Sequence, residues 1–262
     1  MNALKHVVLR MLGAGYRLLA RPFPVRYTPY RVAGGQIYLN IQESPTMLLR
    51  ALGLYERNKV RAVKTLLRPG DTFIDVGVNK GDFTLLAAER VGPRGNVFSF
   101  EPEPRNCYWI RRSIALNGYN NVQLAEVAVS SCDGIATLYL GKGSGWHTLL
   151  PGKPNRNEGA IEVTTRSLDS VIGHHQVHMI KIDVEGAEMK VLQGATRLLT
   201  ANPGLILLID VHPQLGVNPC EVAAFLSDRG FSLFTMKPPF NRPAAVDADT
   251  RELLAYRPRR GR

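Results

Sequence analysis

Cysteine is scarce in this 262-residue sequence: Cys107, Cys132 and Cys220 are the whole complement, an odd number with no CxxC pair. That spacing supports neither a disulfide framework nor a zinc site, and a reducing compartment is the expectation. No apolar run reaches the roughly 18 residues that a membrane-spanning helix requires. Lys5, Arg10 and Arg17 also interrupt the stretch where a secretory leader would need an unbroken apolar core. The protein is therefore expected to be cytoplasmic. Internal repeats and low-complexity linkers are missing as well, and 45% hydrophobic content at this length suits one large domain. Acidic residues are absent from positions 1 to 42, which hold Lys5, Arg10, Arg17, Arg21, Arg26 and Arg31. With Arg257, Arg259, Arg260 and Arg262 at the other end, ten of the eleven net positive charges lie outside the central body. A body so close to neutral has no continuous basic groove, so no nucleic-acid partner is expected.

What is present divides into three stretches. Residues 1–34 form a basic N-terminal segment in which Leu4, Val7, Val8, Met11, Leu12, Leu18 and Leu19 recur at the spacing of one helical face. Such a helix either packs on its own domain or a twin subunit, or makes peripheral contact with the inner face of a membrane. Residues 35–256 form the main domain, and residues 257–262 a basic tail.

From residue 71 short apolar strands alternate with amphipathic helices, the pattern of parallel βαβ units. Strands are predicted at 72–76, 96–101, 122–129, 179–183, 205–211, 231–235 and 253–256, with helices at 83–90, 104–116 and 187–200. Asn218-Pro219-Cys220-Glu221 has the cap residue, proline and carboxylate of a helix start. The segments 135–140 and 161–165 flank a glycine-rich loop and read as an inserted hairpin. The fold expected is a doubly wound α/β domain with a mostly parallel seven-stranded sheet. Ligands bind such sheets at the carboxyl ends of the strands, near the point where strand order reverses.

Three strand ends carry chemistry. The first runs Asp75-Val76-Gly77-Val78-Asn79-Lys80-Gly81 into a helix. Gly77 and Gly81 allow a sharp turn and a close backbone approach by a ligand. Asn79 stands where the second glycine of a GxGxxG dinucleotide fingerprint would be, which disfavours a pyrophosphate. A nucleoside bearing an amino-acid moiety suits a loop that offers backbone amides and retains Asp75. The second strand ends in Glu101-Pro102, placing a carboxylate where both ribose hydroxyls of a nucleoside can donate to it. The third is Lys181-Ile182-Asp183-Val184-Glu185-Gly186-Ala187-Glu188. Lys181 and Asp183 share a face there, and Asp183 lies at the edge where an acceptor would stand. A plain Lys181–Asp183 ion pair, with Glu188 favouring the dipole of the next helix, is the structural alternative.

These motifs together resemble the FkbM-type methyltransferases. The resemblance rests on Asp75-Val76-Gly77, Asn79, Gly81, Glu101-Pro102, the run 180–188, Val191-Leu192 and Gly194-Ala195. Tyr55-Glu56, Pro69-Gly70-Asp71 and Ser167-Leu168-Asp169-Ser170 add to it, over roughly residues 35–235. It implies a class I methyltransferase fold using S-adenosylmethionine, with Asp75, Gly77, Asn79, Gly81 and Glu101 at the cofactor. It also implies methylation of a hydroxyl on a small-molecule or glycan acceptor. Two departures stand out: Val78 replaces the usual alanine, and Asp210 the usual glutamate before His212-Pro213.

An alcohol acceptor benefits from a base as its oxygen attacks, and His212, just past the fifth strand, is the preferred candidate beside Asp183. His147, next to Trp146 in the glycine-rich loop, is its rival; His174, His175 and His178 read as surface residues. Asp183, Glu185 and Asp210 could hold magnesium, but the shortened carboxylate and Lys181 argue against it, and no metal is expected. Lys237-Pro238-Pro239-Phe240 is similar to a base-flipping motif but follows the wrong strand. A non-catalytic module of the same fold, docked through its basic ends, is the alternative to an enzyme.

Overall fold

The computed structural model describes Pro22 and residues 25–141, 145–152 and 159–257. The predicted N-terminal helix, and Arg259, Arg260 and Arg262 of the tail, lie outside the described residues. Among those described, no helix is long and apolar enough to cross a membrane.

The strands are β1 (Thr28–Val32), β2 (Gly35–Leu39), β3 (Thr72–Val76), β4 (Asn96–Phe100), β5 (Val122–Ala125), β6 (Ala128–Val129), β7 (Gly134–Tyr139), β8 (Ala160–Arg166), β9 (Met179–Ile182), β10 (Ile206–Asp210), β11 (Ser232–Phe234) and β12 (Glu252–Tyr256). Seven of them form the main sheet, in the order β11-β12-β10-β9-β3-β4-β5. Those from β10 to β5 run parallel, and β12 is antiparallel to both of its neighbours. The chain winds outward from β3 through β4 to β5, then returns to the other side of β3 as β9. The order therefore reverses between β3 and β9, which opens a crevice at their carboxyl ends. This is the doubly wound, Rossmann-like α/β fold expected from the sequence.

Alternating residues of the central strands feed two cores. Ile74, Val76, Ile180, Ile182, Leu207 and Ile209 pack with Val191, Leu192, Leu199 and Leu226 on one face. Phe73, Met179, Leu208 and Leu254 pack on the other with Val63, Leu67, Leu86 and Val91. Asp75 is in phase with Phe73, Lys181 with Met179, and Asp210 with Leu208. The second face thus ends in a column of charges at the carboxyl edge, beneath the helices Arg57–Leu66 and Asp82–Val91.

Two expected element boundaries shift. The predicted strand 122–129 divides: β5 stays in the main sheet, while Ala128–Val129 pairs with β8, so the insertion is a three-stranded sheet, not a hairpin. The helix predicted at 187–200 divides into Glu188–Gln193 and Thr196–Ala201 at Gly194, where a Cβ would stand 2.1 Å from the Ser130 carbonyl oxygen. Close packing against the insertion explains that break. The line drawn between residues 34 and 35 falls in the turn of the β1–β2 hairpin, whose Ile37 and Leu39 pack with Met47 and Leu85. Arg257, assigned to the tail, donates to the Leu199, Asn202 and Arg229 carbonyls and belongs to the fold.

Candidate active site

At the end of β3, Gly77 turns the chain over the sheet edge with φ +79°, and a Cβ there would lie 1.8 Å from the Asp183 carbonyl oxygen. Only glycine permits these two loops to touch. Asn79, also left-handed at φ +57°, directs its N–H to Glu101 Oε2 at 2.7 Å. Glu101 Oε1 accepts from the Glu103 N–H at 3.1 Å and Asn106 Nδ2 at 3.3 Å. These three donors aim the buried carboxylate, and each oxygen keeps lone-pair capacity for a ligand hydroxyl. Burial raises the Glu101 carboxyl to about 7, against the opposing pull of those hydrogen bonds.

A cleft of about 620 Å³, open to solvent, lies between these loops and the insertion. Of the residues singled out in the sequence, it is lined by Gly77, Asn79, Glu101, His147, Asp183 and Glu185. Asp75, Gly81 and His212 are not on its wall. Asp75 faces the helix Asp82–Val91, because it is in phase with Phe73. Its Oδ2 accepts from Thr84 Oγ1 at 2.7 Å, and its Oδ1 is 3.6 Å from Lys181 Nζ. Asp75, expected at the cofactor, thus lies buried beneath the loop and not on the cleft wall. Gly81 closes the turn through its N–H to the Val78 carbonyl at 3.0 Å.

The other half of the cleft is acidic. Lys181 Nζ is shared among Asp75, Asp183 Oδ2 at 3.5 Å and the Gly77 carbonyl at 3.3 Å, so the expected Lys181–Asp183 pair exists and Asp183 still lines the cleft. Burial opposes ionisation of Asp183, but the Lys181, Lys59 and His212 charges outweigh it and hold its carboxyl below the usual range. His212 stands behind this edge. Its Nδ1 is 2.6 Å from the fully buried Glu188 Oε1, and its Nε2 is 3.8 Å from Asp183 Oδ1 and 3.5 Å from Glu185 Oε2. Burial alone would lower the imidazole, yet the Glu188 hydrogen bond and the Glu185 and Asp183 charges lift it to about 9. For Glu185, burial, opposed by His212 and reinforced by Asp183, holds the carboxyl up at about 8.

Asp210 is engaged elsewhere. Both its oxygens lie 2.5 Å from Lys59 Nζ, which also contacts Glu56 at 2.9 Å. Glu56, Asn79 and Glu185 are three of the four non-glycine residues with positive φ among those described, and all belong to this edge. Backbone strain persists where surrounding contacts over-determine it, and it concentrates at working sites. The insertion closes the outer wall: Thr148 Oγ1 donates to the Glu185 carbonyl at 2.7 Å, and Leu150 packs on Gly186. His147 Nδ1 accepts from the Gly141 N–H at 3.2 Å. His178 instead receives the Thr72 N–H at the far end of β3. Sequence reading missed Lys59, whose partner is 151 residues away, and gave Glu188 to a helix dipole rather than to His212.

A sequence model of the methyltransferase FkbM domain matches residues 75–233, a span from the first glycine loop to β11. The chain belongs to this family. The chain is similar to methyltransferase sdnD of Sordaria araneosa, 29% identical over 202 residues, which cover 63% of this chain and 75% of that protein. The 2-O-methyltransferase NoeI of Sinorhizobium fredii is 28% identical over 155 residues, 53% of this chain and 63% of NoeI. The chain thus spans less than two thirds of NoeI. The hexuronic acid methyltransferase AglP of Haloferax volcanii is 25% identical over 182 residues, 68% of this chain and 70% of AglP. The cofactor of this FkbM protein is S-adenosylmethionine. The crevice fits it: Glu101 lines the wall with a buried carboxylate able to accept from ligand hydroxyls, and Asn79 Oδ1 is buried with no hydrogen-bond partner among the described residues, free for a ligand donor.

Proposed function

We propose that this protein transfers the methyl group to a hydroxyl oxygen of a small-molecule or glycan acceptor placed over Asp183. The observation that carries the reading is the Asp183 carboxyl on the cleft wall, beyond the half that suits the nucleoside, with Lys181 Nζ 3.5 Å from its Oδ2 to favour the ionised form. The names of NoeI and AglP, an O-methyltransferase and a methyltransferase of a hexuronic acid, agree with it.

When bound, S-adenosylmethionine supplies a methyl carbon on a sulfonium. Gly77, Asn79 and Glu101 would hold it, and it would supply the carbon of a new O–C bond to the hydroxyl over Asp183, with a neutral thioether as leaving group. The hydroxyl proton becomes strongly acidic as that bond forms, so the weakly basic carboxylate of Asp183 suffices to receive it. His212, at about 9, is already protonated at neutral pH. In this reading it orients Asp183 and Glu185, and the base role expected of it passes to Asp183.

Incubation with methyl-labelled cofactor and a panel of hydroxylated acceptors, including uronic acids, tests the reading. Asp183→Asn is expected to lower turnover about a hundredfold, the scale of losing a positioned base, while cofactor affinity by calorimetry stays within about twofold of wild type. Full turnover in that variant removes Asp183 from the mechanism, and label found on nitrogen or sulfur overturns the hydroxyl assignment.

A further inference from the structure

The acidic end of the cleft and the ground behind it gather more carboxyl groups than cations among the described residues. Asp75, Asp183, Glu185, Glu188 and Asp210 converge on the ends of β3, β9 and β10. The two lysines there are committed elsewhere, Lys59 to Asp210 and Glu56, Lys181 to Asp75 and Asp183. Among the described residues, His212 is the cationic group beside Glu185 and Glu188.

We propose that Asp183, Glu185 and His212 bind one divalent metal ion at the acceptor end of the cleft. The inference rests on the reading of that end as the acceptor's place. One ligand atom from each residue lies within 4.8 Å of the other two, and His212 Nε2 stands 3.5 Å from Glu185 and 3.8 Å from Asp183. An ion about 2.0–2.2 Å from each ligand spans the 3.5 and 3.8 Å separations from His212 Nε2.

The imidazole is set up as a metal ligand is. Its Nδ1 is held by Glu188 at 2.6 Å, which fixes the ring and turns Nε2 toward Asp183 and Glu185. A carboxylate behind a histidine is the usual device that orients a ligating ring and raises its basicity. Glu188 is wholly buried, takes the Gly186 N–H on the same oxygen, and keeps its other oxygen buried without a hydrogen-bond partner. A carboxylate with so little solvation needs a strongly charged neighbourhood, and a divalent ion across the imidazole provides it. The second acidic set, Glu56, Asp183 and Asp210, is geometrically similar but carries the Lys59 ammonium among its carboxylates, so it does not compete.

Donor chemistry narrows the ion. One imidazole with two carboxylates suits Mn²⁺, Fe²⁺ or Zn²⁺ better than Ca²⁺, which takes six to eight oxygens. Asp183 and Glu185 line the cleft, so open coordination positions face an acceptor. A hydroxyl that joins the ion is both positioned and made easier to deprotonate.

The probe is Mn²⁺ alone, titrated into the full chain without cofactor or acceptor and followed by the loss of its free paramagnetic resonance signal. One saturable ion per chain is expected. His212→Ala and Glu185→Gln should each weaken binding at least tenfold, and Glu188→Gln about tenfold, the range for a group behind a ligand. Glu162→Gln, on the exposed face of the insertion, should change nothing. Cofactor affinity within twofold of wild type certifies that each variant is folded; if His212→Ala fails this check, the two glutamine variants decide. No saturable binding at millimolar Mn²⁺, or binding that survives Glu185→Gln and Glu188→Gln, overturns the proposal and leaves the imidazolium as the counter-charge. Mn²⁺ binding in a protein that methylates no hydroxyl would retire the acceptor reading and keep the metal site; hydroxyl methylation without Mn²⁺ binding would do the reverse.

Discussion

Glu101 shows how one buried carboxyl ties ligand binding to pH. Its native pKa, about 7, exceeds the ordinary 4.5 because burial disfavours the charge. The native state therefore holds a proton that the unfolded state releases between those values. Stability from this group is fully present below 4.5 and is lost as pH rises through about 7. Binding has the opposite sense, since two ribose hydroxyls donate best to the ionised form. Affinity for S-adenosylmethionine is expected to rise with pH through about 7 and level off above it, as calorimetry from acidic to mildly alkaline buffer would show. Glu101→Gln should flatten the profile, and Glu101→Ala should cost more than about 1.5 kcal/mol of binding. A wild-type affinity independent of pH would place the ribose elsewhere.

At the scale of elements, the site depends on two loops meeting where β3 and β9 end. Gly77 makes that contact and Gly81 does not. A Cβ at 77 would stand 1.8 Å from the Asp183 carbonyl oxygen, whereas at 81 its nearest neighbour would be Ile110 at 3.6 Å. Both glycines have positive φ. Gly77→Ala is therefore expected to force the loops apart and abolish measurable cofactor binding. Gly81→Ala bears only the left-handed cost, about 1–2 kcal/mol, and should keep binding within a few fold. Thermal unfolding and calorimetry on the pair check this; equal losses would mean that backbone conformation, and not loop contact, sets the site. The insertion acts on the same loop through Thr148 and Leu150, which explains why a segment outside the main sheet shapes the cleft.

For the whole molecule, the Lys59 cluster joins the helix Arg57–Leu66 to the ends of β10 and β12 through Asp210 and Glu252. Lys59→Met would strand Asp210 and Glu56 as buried charges, and is expected to destabilise the fold by about 3–5 kcal/mol in urea. Adding Asp210→Leu should restore part of that loss, since an apolar pair of similar volume often matches a buried ion pair. A Lys59→Met loss below about 1 kcal/mol would show that water reaches the cluster.

Much of this architecture was legible in sequence because it depends on neighbours along the chain. Alternation marks the central strands, glycine positions mark the turn after β3, and Asn218 with Pro219 marks a helix whose cap accepts the Cys220 N–H at 3.0 Å. Gly77, Asn79, Glu101 and Asp183, which line the cleft, could be singled out for the same reason: each ends or follows a recognisable strand. What the sequence could not determine is where strand ends point and what meets them from afar. Asp75 turned inward because its phase in β3 matches Phe73, and Asp210 was claimed by a lysine 151 residues earlier. His212 meets Asp183, Glu185 and Glu188 from the segment after β9, contacts made through space and not along the chain. Local periodicity selects the elements; only their packing decides which buried charges must share a proton, a lysine or an ion.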